Sequence, residues 1–322
     1  MTSLNLEECN KCRERVGIYK RIYSGEILCK ACFLLSVESK VKKTMNCFSM
    51  VKHGDKLAVA VSGGKDSLTL LYILNKISQS LANTITAITV DEGIGGYRSE
   101  SIRIVKEFCS NLNIENKIVS YEDLFGIGID EAMATRSSTK VTSCSICGTF
   151  RRRAIDLLAE WNGANVVATG HNLDDHIQSF FINVFSGDID RIGWSYPKPV
   201  EYGTTGIRKI KPLLALYEKE IIFYALHQNI PFQSLECPYM HESIRTEIRN
   251  FLNQLEETRP GIKYNIYNSV LKISAGLKSQ TSHKGSTRCL VCRRQSTNKI
   301  CSVCKTVVML SGQSSKREIS LF

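Results

Sequence analysis

The sequence lacks any apolar run of the roughly 20 residues that a membrane-spanning helix needs. Its first residues, MTSLNLEECNKC, also lack the basic and apolar regions of a secretory leader. Acidic residues are in the minority, with 31 Asp and Glu against 42 Lys and Arg, so the formal net charge is +11. We therefore expect a cytosolic chain with no membrane partner, whose positive charge suits either a polyanionic partner or an ordinary solvated surface.

Cysteine, by contrast, is abundant, with 13 residues in a chain that shows no export signal. Cytosolic thiols stay reduced, so metal binding accounts for them better than disulfide formation does. Each end of the chain carries two C-x-x-C pairs, which can place four thiolates around one structural zinc ion. The predicted zinc ligands are Cys9, Cys12, Cys29 and Cys32 in the first module, and Cys289, Cys292, Cys301 and Cys304 in the second.

Both terminal modules also carry basic side chains, which could hold RNA phosphates or could be ordinary solvated surface. These side chains are Arg13, Arg15, Lys20 and Arg21 in the first module, and Arg288, Arg293, Arg294 and Lys299 in the second. We predict four segments: an N-terminal zinc module (1–37), a central domain with connecting and C-terminal helices (38–278), a C-terminal zinc ribbon (279–311) and a mobile tail (312–322).

Between residues 56 and 230, short apolar β-rich runs alternate with amphipathic helical stretches. This alternation is typical of a parallel sheet with helices on both faces, so we predict a doubly wound α/β domain. The predicted strands are 57–61, 85–90, 117–120, 165–169 and 208–211. The predicted helices are 67–77, 100–112, 151–161, 174–185 and 217–228, with a basic helix at 38–51 and a helical region at 243–277 that is interrupted at 259–261.

One predicted strand, LAVAV, runs directly through SGGKDS into an apolar helix. The glycines let the backbone turn tightly and present N–H groups, and the helix start adds partial positive charge, so this loop can hold a phosphate. Lys65 supplies a further cation. The loop is not a Walker A motif, because Val59 stands where its first glycine should be and Asp66 follows the lysine.

Two other predicted strands end at the same edge of the sheet, where open parallel sheets bind ligands. The second strand ends in ITVDEG and the fourth in ATGHNLDD. Gly170 would let the backbone approach a nucleotide. Asp174 and Asp175 either hold magnesium or cap the next helix, and His171 is either a site residue or a core or capping histidine.

Three more cysteines occur in the central domain. Cys144 and Cys147 form a C-x-x-C pair just before a predicted helix, and Cys237 lies far along the chain in LECPY. No fourth protein ligand for zinc is evident, whereas three thiolates would leave one iron of a 4Fe-4S cluster open to hydrosulfide. The alternatives are a catalytic disulfide or persulfide at the pair, and plain burial. Cys47 and Cys109 lie in helical patterns and are interpreted as core residues.

The string SGGKDS resembles the PP-loop of the ATP pyrophosphatase superfamily, which includes GMP synthetase, tRNA lysidine synthetase and tRNA thiolases. The resemblance implies a fold like that of the adenine nucleotide alpha hydrolases. It also implies that ATP is cleaved to AMP and pyrophosphate as a carbonyl oxygen is adenylated, with Asp66 near the reactive phosphate or its Mg²⁺. The residues that it implies for nucleotide binding are Ala60, Ser62, Gly63, Gly64, Ser67, Ile88 and Gly170.

The segments CSICGTFRRR, ATGHNLDD and LECPY, with both cysteine modules, resemble the TtuA/NcsA group of tRNA 2-thiouridine synthetases over nearly the whole chain. Arg151 stands where some members have a catalytic Lys, and a guanidinium can offset phosphate charge but can hardly transfer a proton. The branch that modifies the wobble base also resembles this chain in carrying Arg. The catalytic residues that the resemblance implies are Lys65, Asp66, Cys144, Cys147, Arg151, Asp175 and Cys237.

The predicted function is therefore ATP-dependent 2-thiolation of a tRNA uridine, at wobble position 34 or T-loop position 54. The predicted cofactors are ATP, Mg²⁺, a 4Fe-4S cluster and two Zn²⁺ ions. The resemblance further implies sulfur from a ubiquitin-like carrier or from free sulfide, and homodimers are common in the group. The alternatives are a cytidine thiolase, a lysidine-type ligase and, from another class, a non-catalytic zinc-ribbon RNA-binding scaffold.

Overall fold

The computed structural model describes residues 7–79, 82–136, 141–199, 201–202, 206–278 and 287–311. The tail predicted at 312–322 and most of the linker before the last cysteine module lie outside these residues. The four predicted segment boundaries therefore stay predictions.

The N-terminal module is a small hairpin followed by a long helix. Strands β1 (Tyr19–Lys20) and β2 (Ile27–Leu28) pair antiparallel, and helix α1 (Lys30–Cys47) begins directly after Cys29. The basic helix predicted to begin at residue 38 thus begins eight residues earlier, inside the cysteine module. Its buried residues include Phe33, so one continuous helix joins the module to the core of the central domain.

Within the described residues, the central sheet has five parallel strands and one antiparallel edge strand, in the spatial order β5-β4-β3-β6-β8-β7. The strands are β3 (Lys56–Ala60), β4 (Thr84–Asp91), β5 (Asn116–Ser120), β6 (Val166–Thr169), β7 (Glu201–Tyr202) and β8 (Ile207–Ile210). All five predicted strands are confirmed to within one residue. The edge strand β7 was not predicted, because its two residues are too short to show a period.

The helices between and after these strands are α2 (Lys65–Ser78), α3 (Arg98–Asn111), α4 (Tyr121–Phe125), α5 (Ile129–Thr135), α6 (Ser143–Trp161), α7 (Leu173–Phe185), α8 (Ile189–Trp194), α9 (Glu218–His227), α10 (Arg245–Thr258) and α11 (Ile262–Lys278). The predicted helices are confirmed, whereas the short helices α4, α5 and α8 were not predicted. The prediction that Cys144 and Cys147 precede their helix is wrong. The hydroxyl of Thr142 caps α6 by accepting a hydrogen bond from Ser145 N, so both cysteines lie in its first two turns.

The sequence of β3 explains why helices cover both faces of the sheet. Successive residues of a strand point to opposite faces. Leu57 and Val59 lie in the core shared with α1, α2, α3 and α9, whereas Ala58 lies in the core shared with α4, α5 and α6. A strand with apolar residues on both faces is buried on both sides, and the predicted doubly wound α/β fold is confirmed. Helices α7, α10 and α11 pack around a third, smaller cluster.

The C-terminal module packs on α6. Strands β9 (Thr287–Arg288) and β10 (Gln295–Ser296) form a second hairpin, and helix α12 (Ser302–Ser311) follows it. Val303, Val307 and Leu310 are buried in the same core as the apolar side of α6. None of the helices in the described part of the chain combines the length and apolar character that crossing a bilayer requires.

Candidate active site and metal centres

The SGGKDS loop lies at the carboxyl end of β3, between β4 and β5 on one side and β6 and β8 on the other. Open α/β sheets bind ligands at such a switch point. Gly63 has a φ of +84°, which favours glycine, and a Cβ there would lie 2.7 Å from Cβ of Ser101. A Cβ on Gly170, just after β6, would lie 3.0 Å from the carbonyl carbon of Asp66 and the nitrogen of Ser67. The loop therefore packs closely on α3 at Gly63, and the start of α2 packs on the backbone after β6 at Gly170, so a side chain at either glycine would push these segments apart.

Hydrogen bonds within the loop fix its shape. The Ser67 hydroxyl accepts from Ser62 N at 3.1 Å and donates to the Gly64 carbonyl at 2.9 Å. Helix α2 begins inside the loop, so its first N–H groups have no partner within the helix and can bind an anion. Ala60 is paired with Ile88 of β4, which places both backbones beside the loop. The residues predicted to bind the nucleotide are thus close together at one edge of the sheet.

Lys65 is held by two carboxylates rather than one. Its Nζ lies 2.9 Å from Oδ2 of Asp66 and 2.7 Å from Oε1 of Glu218 on α9, a residue that the sequence analysis did not select. Burial lowers the pKa of Lys65, but the two carboxylates outweigh it and raise that pKa to about 12. Burial raises the pKa of Asp66, which Lys65 and a 3.1 Å hydrogen bond from the Asn172 side chain oppose.

Asp175 has the capping role, which is one of the two between which the sequence left a choice. Asn172 is the N-cap of α7, and the Asp175 carboxylate accepts from Asn172 N at 3.2 Å to complete a capping box. Burial, followed by the charge of Asp66, raises the pKa of Asp175 to about 6. Two carboxylates beside the phosphate loop, one of which raises the pKa of the other, could share a cation.

Asp174 and His171 have simpler surroundings. The buried carboxylate of Asp174 accepts from Lys263 Nζ at 2.5 Å and from Glu218 N at 2.8 Å, so protein groups already neutralise it. His171 is exposed at the end of β6, and its Nδ1 lies 2.8 Å from the Thr169 hydroxyl. His171 is therefore not a core histidine.

The three central thiols come together at the first turn of α6. The segment after Cys237 packs on this turn, where Ser143 N donates to Glu242 Oε2 at 2.8 Å. Burial and then the charge of Cys144 raise the pKa of Cys237, and Cys237 contributes in turn to the raised pKa of Cys147. Ser143 Oγ also donates to the Tyr239 carbonyl at 3.5 Å, so Cys237, two residues before Tyr239, lies at the same end of α6 as Cys144 and Cys147.

The segment before Cys237 runs past the phosphate loop. Gln233 N donates to the Gly63 carbonyl at 3.0 Å, and its side-chain amide donates to the Tyr97 carbonyl at 2.8 Å. The polypeptide that carries Cys237 is therefore hydrogen-bonded to the loop predicted to bind the nucleotide.

Arg151 lies between the thiols and the loop. Its Nη2 donates to Sγ of Cys147 at 3.0 Å, and its Nε donates to Glu92 Oε1 at 3.1 Å. The other oxygen of Glu92 lies 2.6 Å from Nε of Arg98. Nη1 of the same arginine donates to the Ser62 carbonyl at 2.8 Å. The sequence analysis did not select Glu92 or Arg98, although Glu92 directly follows β4 at the binding edge of the sheet.

The thiol sets fit two different kinds of metal centre. Each terminal module brings four sulfurs within 4.8 Å of one another. Cys12 and Cys29 Sγ are 3.9 Å apart, and Cys292 and Cys301 Sγ are 3.7 Å apart. A tetrahedral zinc ion bound at about 2.3 Å would separate its sulfurs by about 3.8 Å. Both modules can therefore hold a metal ion, as predicted.

The central trio forms no such tight group in the described part of the chain. This difference is expected for a 4Fe-4S cluster, because each thiolate binds a different iron and the ligands stand farther apart. The chemistry of the donor set also fits, since the set consists of three thiols and the cationic Arg151 contacts one of them, Cys147. A zinc-type arrangement would need a fourth donor here.

Three other predictions about side chains need correction. Arg21 is buried and donates to Glu220 at 2.9 Å, and Arg294 donates to Glu160 at 2.7 Å, so neither is a free RNA-binding cation. Cys47 is exposed at the end of α1, so its interpretation as a core residue is wrong. Cys109 is buried, as predicted.

The fold and the loop define the protein as a PP-loop ATP-binding protein, and a model of the PP-loop domain matches residues 34–256. A probable sulfurtransferase from Methanocaldococcus jannaschii is 34% identical over 95% of this chain and 89% of its own length. Cytoplasmic tRNA 2-thiolation protein 1 from Drosophila sechellia is 33% identical over 94% of this chain and 87% of its own. This chain therefore belongs to the PP-loop family, in the group that contains the tRNA 2-thiolation proteins.

A solved structure supports the same placement. The U34-tRNA thiolase NcsA from Methanococcus maripaludis, determined with its 4Fe-4S cluster, matches with a TM-score of 0.80 and 32% identity. The match covers 93% of this chain and 95% of the solved one. The resemblance to the TtuA/NcsA group that the motifs indicated is confirmed.

Proposed function

We propose that this protein is an ATP-dependent tRNA 2-thiolase that acts on the uridine at wobble position 34. The observation that carries the proposal is the joint site of loop and thiols, because Gln233 bonds Gly63 four residues before Cys237. The names of the relatives, and the NcsA structure with its cluster, support the same reaction and the same base.

The first step is adenylation of the uridine. The C2 oxygen attacks the α-phosphorus of ATP, a phosphorus–oxygen bond to the leaving group breaks, and pyrophosphate departs. Ser62, Gly63, Gly64 and Ser67 would hold the phosphates through hydroxyl and N–H groups, and Lys65 would offset their charge. Asp66 and Asp175 would bind Mg²⁺, which prefers oxygen ligands.

The second step exchanges oxygen for sulfur. A 4Fe-4S cluster held by Cys144, Cys147 and Cys237 would keep one iron free of protein thiolate and supply there a binding place for hydrosulfide. Sulfur bonds to C2, the bond from C2 to the adenylated oxygen breaks, and AMP leaves with that oxygen. Arg151 would offset the negative charge that develops on this phosphate.

The remaining parts of the proposal concern partners and ions. The terminal four-cysteine groups would hold structural Zn²⁺, because all four ligands come from protein and no open position remains. Sulfur would come from a ubiquitin-like carrier or from free sulfide. The protein would act in the cytoplasm, as the name of the Drosophila relative suggests. A homodimer stays a prediction.

The test is anaerobic reconstitution followed by incubation with ATP, sulfide and unmodified tRNA, with nucleosides mapped by mass spectrometry. We expect 2-thiouridine at position 34 and one pyrophosphate released for each sulfur inserted. Modified cytidine or lysidine would overturn the proposal in favour of another PP-loop enzyme. Absence of tRNA-dependent pyrophosphate release would favour the non-catalytic scaffold.

A matched set of variants sharpens the test. Cys144→Ala, Cys147→Ala and Cys237→Ala should each abolish thiolation, whereas Cys109→Ala, a buried cysteine on α3, should leave it unchanged. Full activity in the three site variants would show that the reaction does not need their sulfur. Sulfide would then reach the uridine without the help of these three thiols.

A further inference from the structure

A continuous line of polar contacts joins the nucleotide loop to the thiol site. Arg98 donates to the Ser62 carbonyl at 2.8 Å and to the Val90 carbonyl at 2.6 Å. Its Nε is ion-paired with Glu92, whose other oxygen accepts from Arg151. Arg151 reaches Cys147 at the far end of the line. Glu92 is thus a carboxylate shared by two guanidiniums, of which Arg98 contacts the nucleotide loop and Arg151 contacts Cys147.

The two arginines differ in how firmly they are held. Arg98 is buried, with 5% of its side chain exposed, and backbone carbonyls fix its guanidinium. Arg151 is 51% exposed and sits on α6, so its long side chain has other conformations open to it. Glu92 is 6% exposed, and the burial of a carboxylate is costly unless cationic partners such as these contact it. Arg98 is therefore the more firmly held of the two, and it fixes the position of Glu92, which in turn contacts Arg151.

We propose that Glu92 is a positioning residue that aims Arg151 into the space between Cys147 and the phosphate loop. The inference rests on the proposed function, because it assigns Arg151 its orientation in that same site. Without the carboxylate, Arg98 and Arg151 repel each other, and Arg151 loses the contact that selects its conformation. The nucleotide loop keeps its own hydrogen bonds, so ATP binding is preserved.

The test compares Glu92→Gln, which has the same shape without the charge, with Asp55→Asn as a matched control. Asp55 is 4% exposed and accepts from Arg208 at 2.5 Å, but it lies before β3 at the opposite edge of the sheet. We expect Glu92→Gln to lower kcat for thiolation about 10- to 100-fold while the KM for ATP stays within about twofold. Asp55→Asn should lower the melting temperature without changing kcat.

Two further measurements separate positioning from folding. The electron paramagnetic resonance spectrum of the reduced, reconstituted protein should change in Glu92→Gln at unchanged iron content, because the donor to Cys147 has moved. Adding Arg151→Gln to Glu92→Gln should lower kcat little further, because the effects of substitutions at residues that act as a unit are not additive. Unchanged kcat and spectrum, or fully additive losses, would overturn the proposal.

The design stays decisive if Glu92→Gln does not fold. Glu92→Asp keeps the charge, but its side chain is too short to reach both arginines. We expect this variant also to have a lower kcat and a changed spectrum, and no change in either would overturn the proposal. The spectrum is recorded without tRNA, so it tests Glu92 even if the wild-type protein makes no thiolated uridine. A wild-type protein that makes no thiolated uridine would overturn the proposed function, but not the positioning role of Glu92.

Discussion

Arg153 lies against the thiols of the C-terminal module, with its guanidinium nitrogens 3.8 Å from Sγ of Cys292 and 3.9 Å from Sγ of Cys301. Arg153 is on α6, the same helix that carries Cys144 and Cys147. Four thiolates around a divalent ion leave a net negative charge, so a cation beside them is stabilising. Helix α6 is therefore shared between a terminal metal group and the central thiol site.

Loss of metal from the C-terminal module should consequently disturb the cluster site. In a Cys292→Ser, Cys301→Ser variant we expect less zinc and also less iron retained after reconstitution, because α6 loses the contacts of its Arg153 with the module and part of its packing on α12. Cys12→Ser with Cys29→Ser is the matched control, since α1 packs on α9. The control should lose the same amount of zinc and keep its iron. Equal iron loss in both variants would contradict the coupling.

Gly63→Ala should weaken ATP binding about 5- to 150-fold, measured by titration calorimetry with a non-hydrolysable analogue, because strain of about 1–3 kcal/mol falls on the loop. The new Cβ meets Ser101 in a conformation with φ of +84°. Gly54→Ala has a comparable φ of +76° but no neighbour within 4 Å, and it lies away from the site. It should lose stability and retain ATP affinity. Equal affinity in both variants would show that the close contact is unimportant.

Glu218→Gln should tighten ATP binding about two- to fivefold, the scale of one partly exposed ion pair. Glu218 lies 2.7 Å from Lys65 and competes with phosphate for that cation. The control is Glu220→Gln on the same helix, whose carboxylate pairs instead with Arg21 and Lys40. It should leave ATP affinity unchanged. Weaker binding in Glu218→Gln would mean that the carboxylate holds Lys65 in its productive position.

We expect the free energy of unfolding to fall in acid, in part because Glu242 becomes protonated. Hydrogen bonds from Arg136, with a further one from Ser143 N, lower the pKa of Glu242 to about 2. The unfolded value is about 4.3, so this contribution is fully present above about pH 4.3 and is lost as the pH falls toward 2. Urea titrations give the free energies of unfolding of the wild type and of Glu242→Gln. The difference between the two should therefore shrink as the pH falls from about 4.3 toward 2. The difference between the wild type and Arg136→Gln should shrink in the same pH window. A difference in the free energy of unfolding that does not change with pH would contradict the lowered pKa of Glu242.

The sequence by itself determined the order of the five parallel strands and of the longer helices of the central domain, and the groups of cysteines. LAVAV reveals a strand buried on both faces, and SGGKDS reveals the turn after it, because both depend on neighbours along the chain. The start of α6 was missed, since the residues SCSICGT have weak helix propensity. Thr142 and Glu242 supply the hydrogen bonds that extend the helix there.

Tertiary structure alone decided which charged groups meet. Nothing in the sequence connects Glu92 with Arg98 and Arg151, Arg153 with Cys292, or Lys65 with Glu218, because many cations and carboxylates of the chain could have paired in other ways. Periodicity encodes which face of an element is buried, whereas the partner of a charged side chain depends on which distant elements the sheet places side by side.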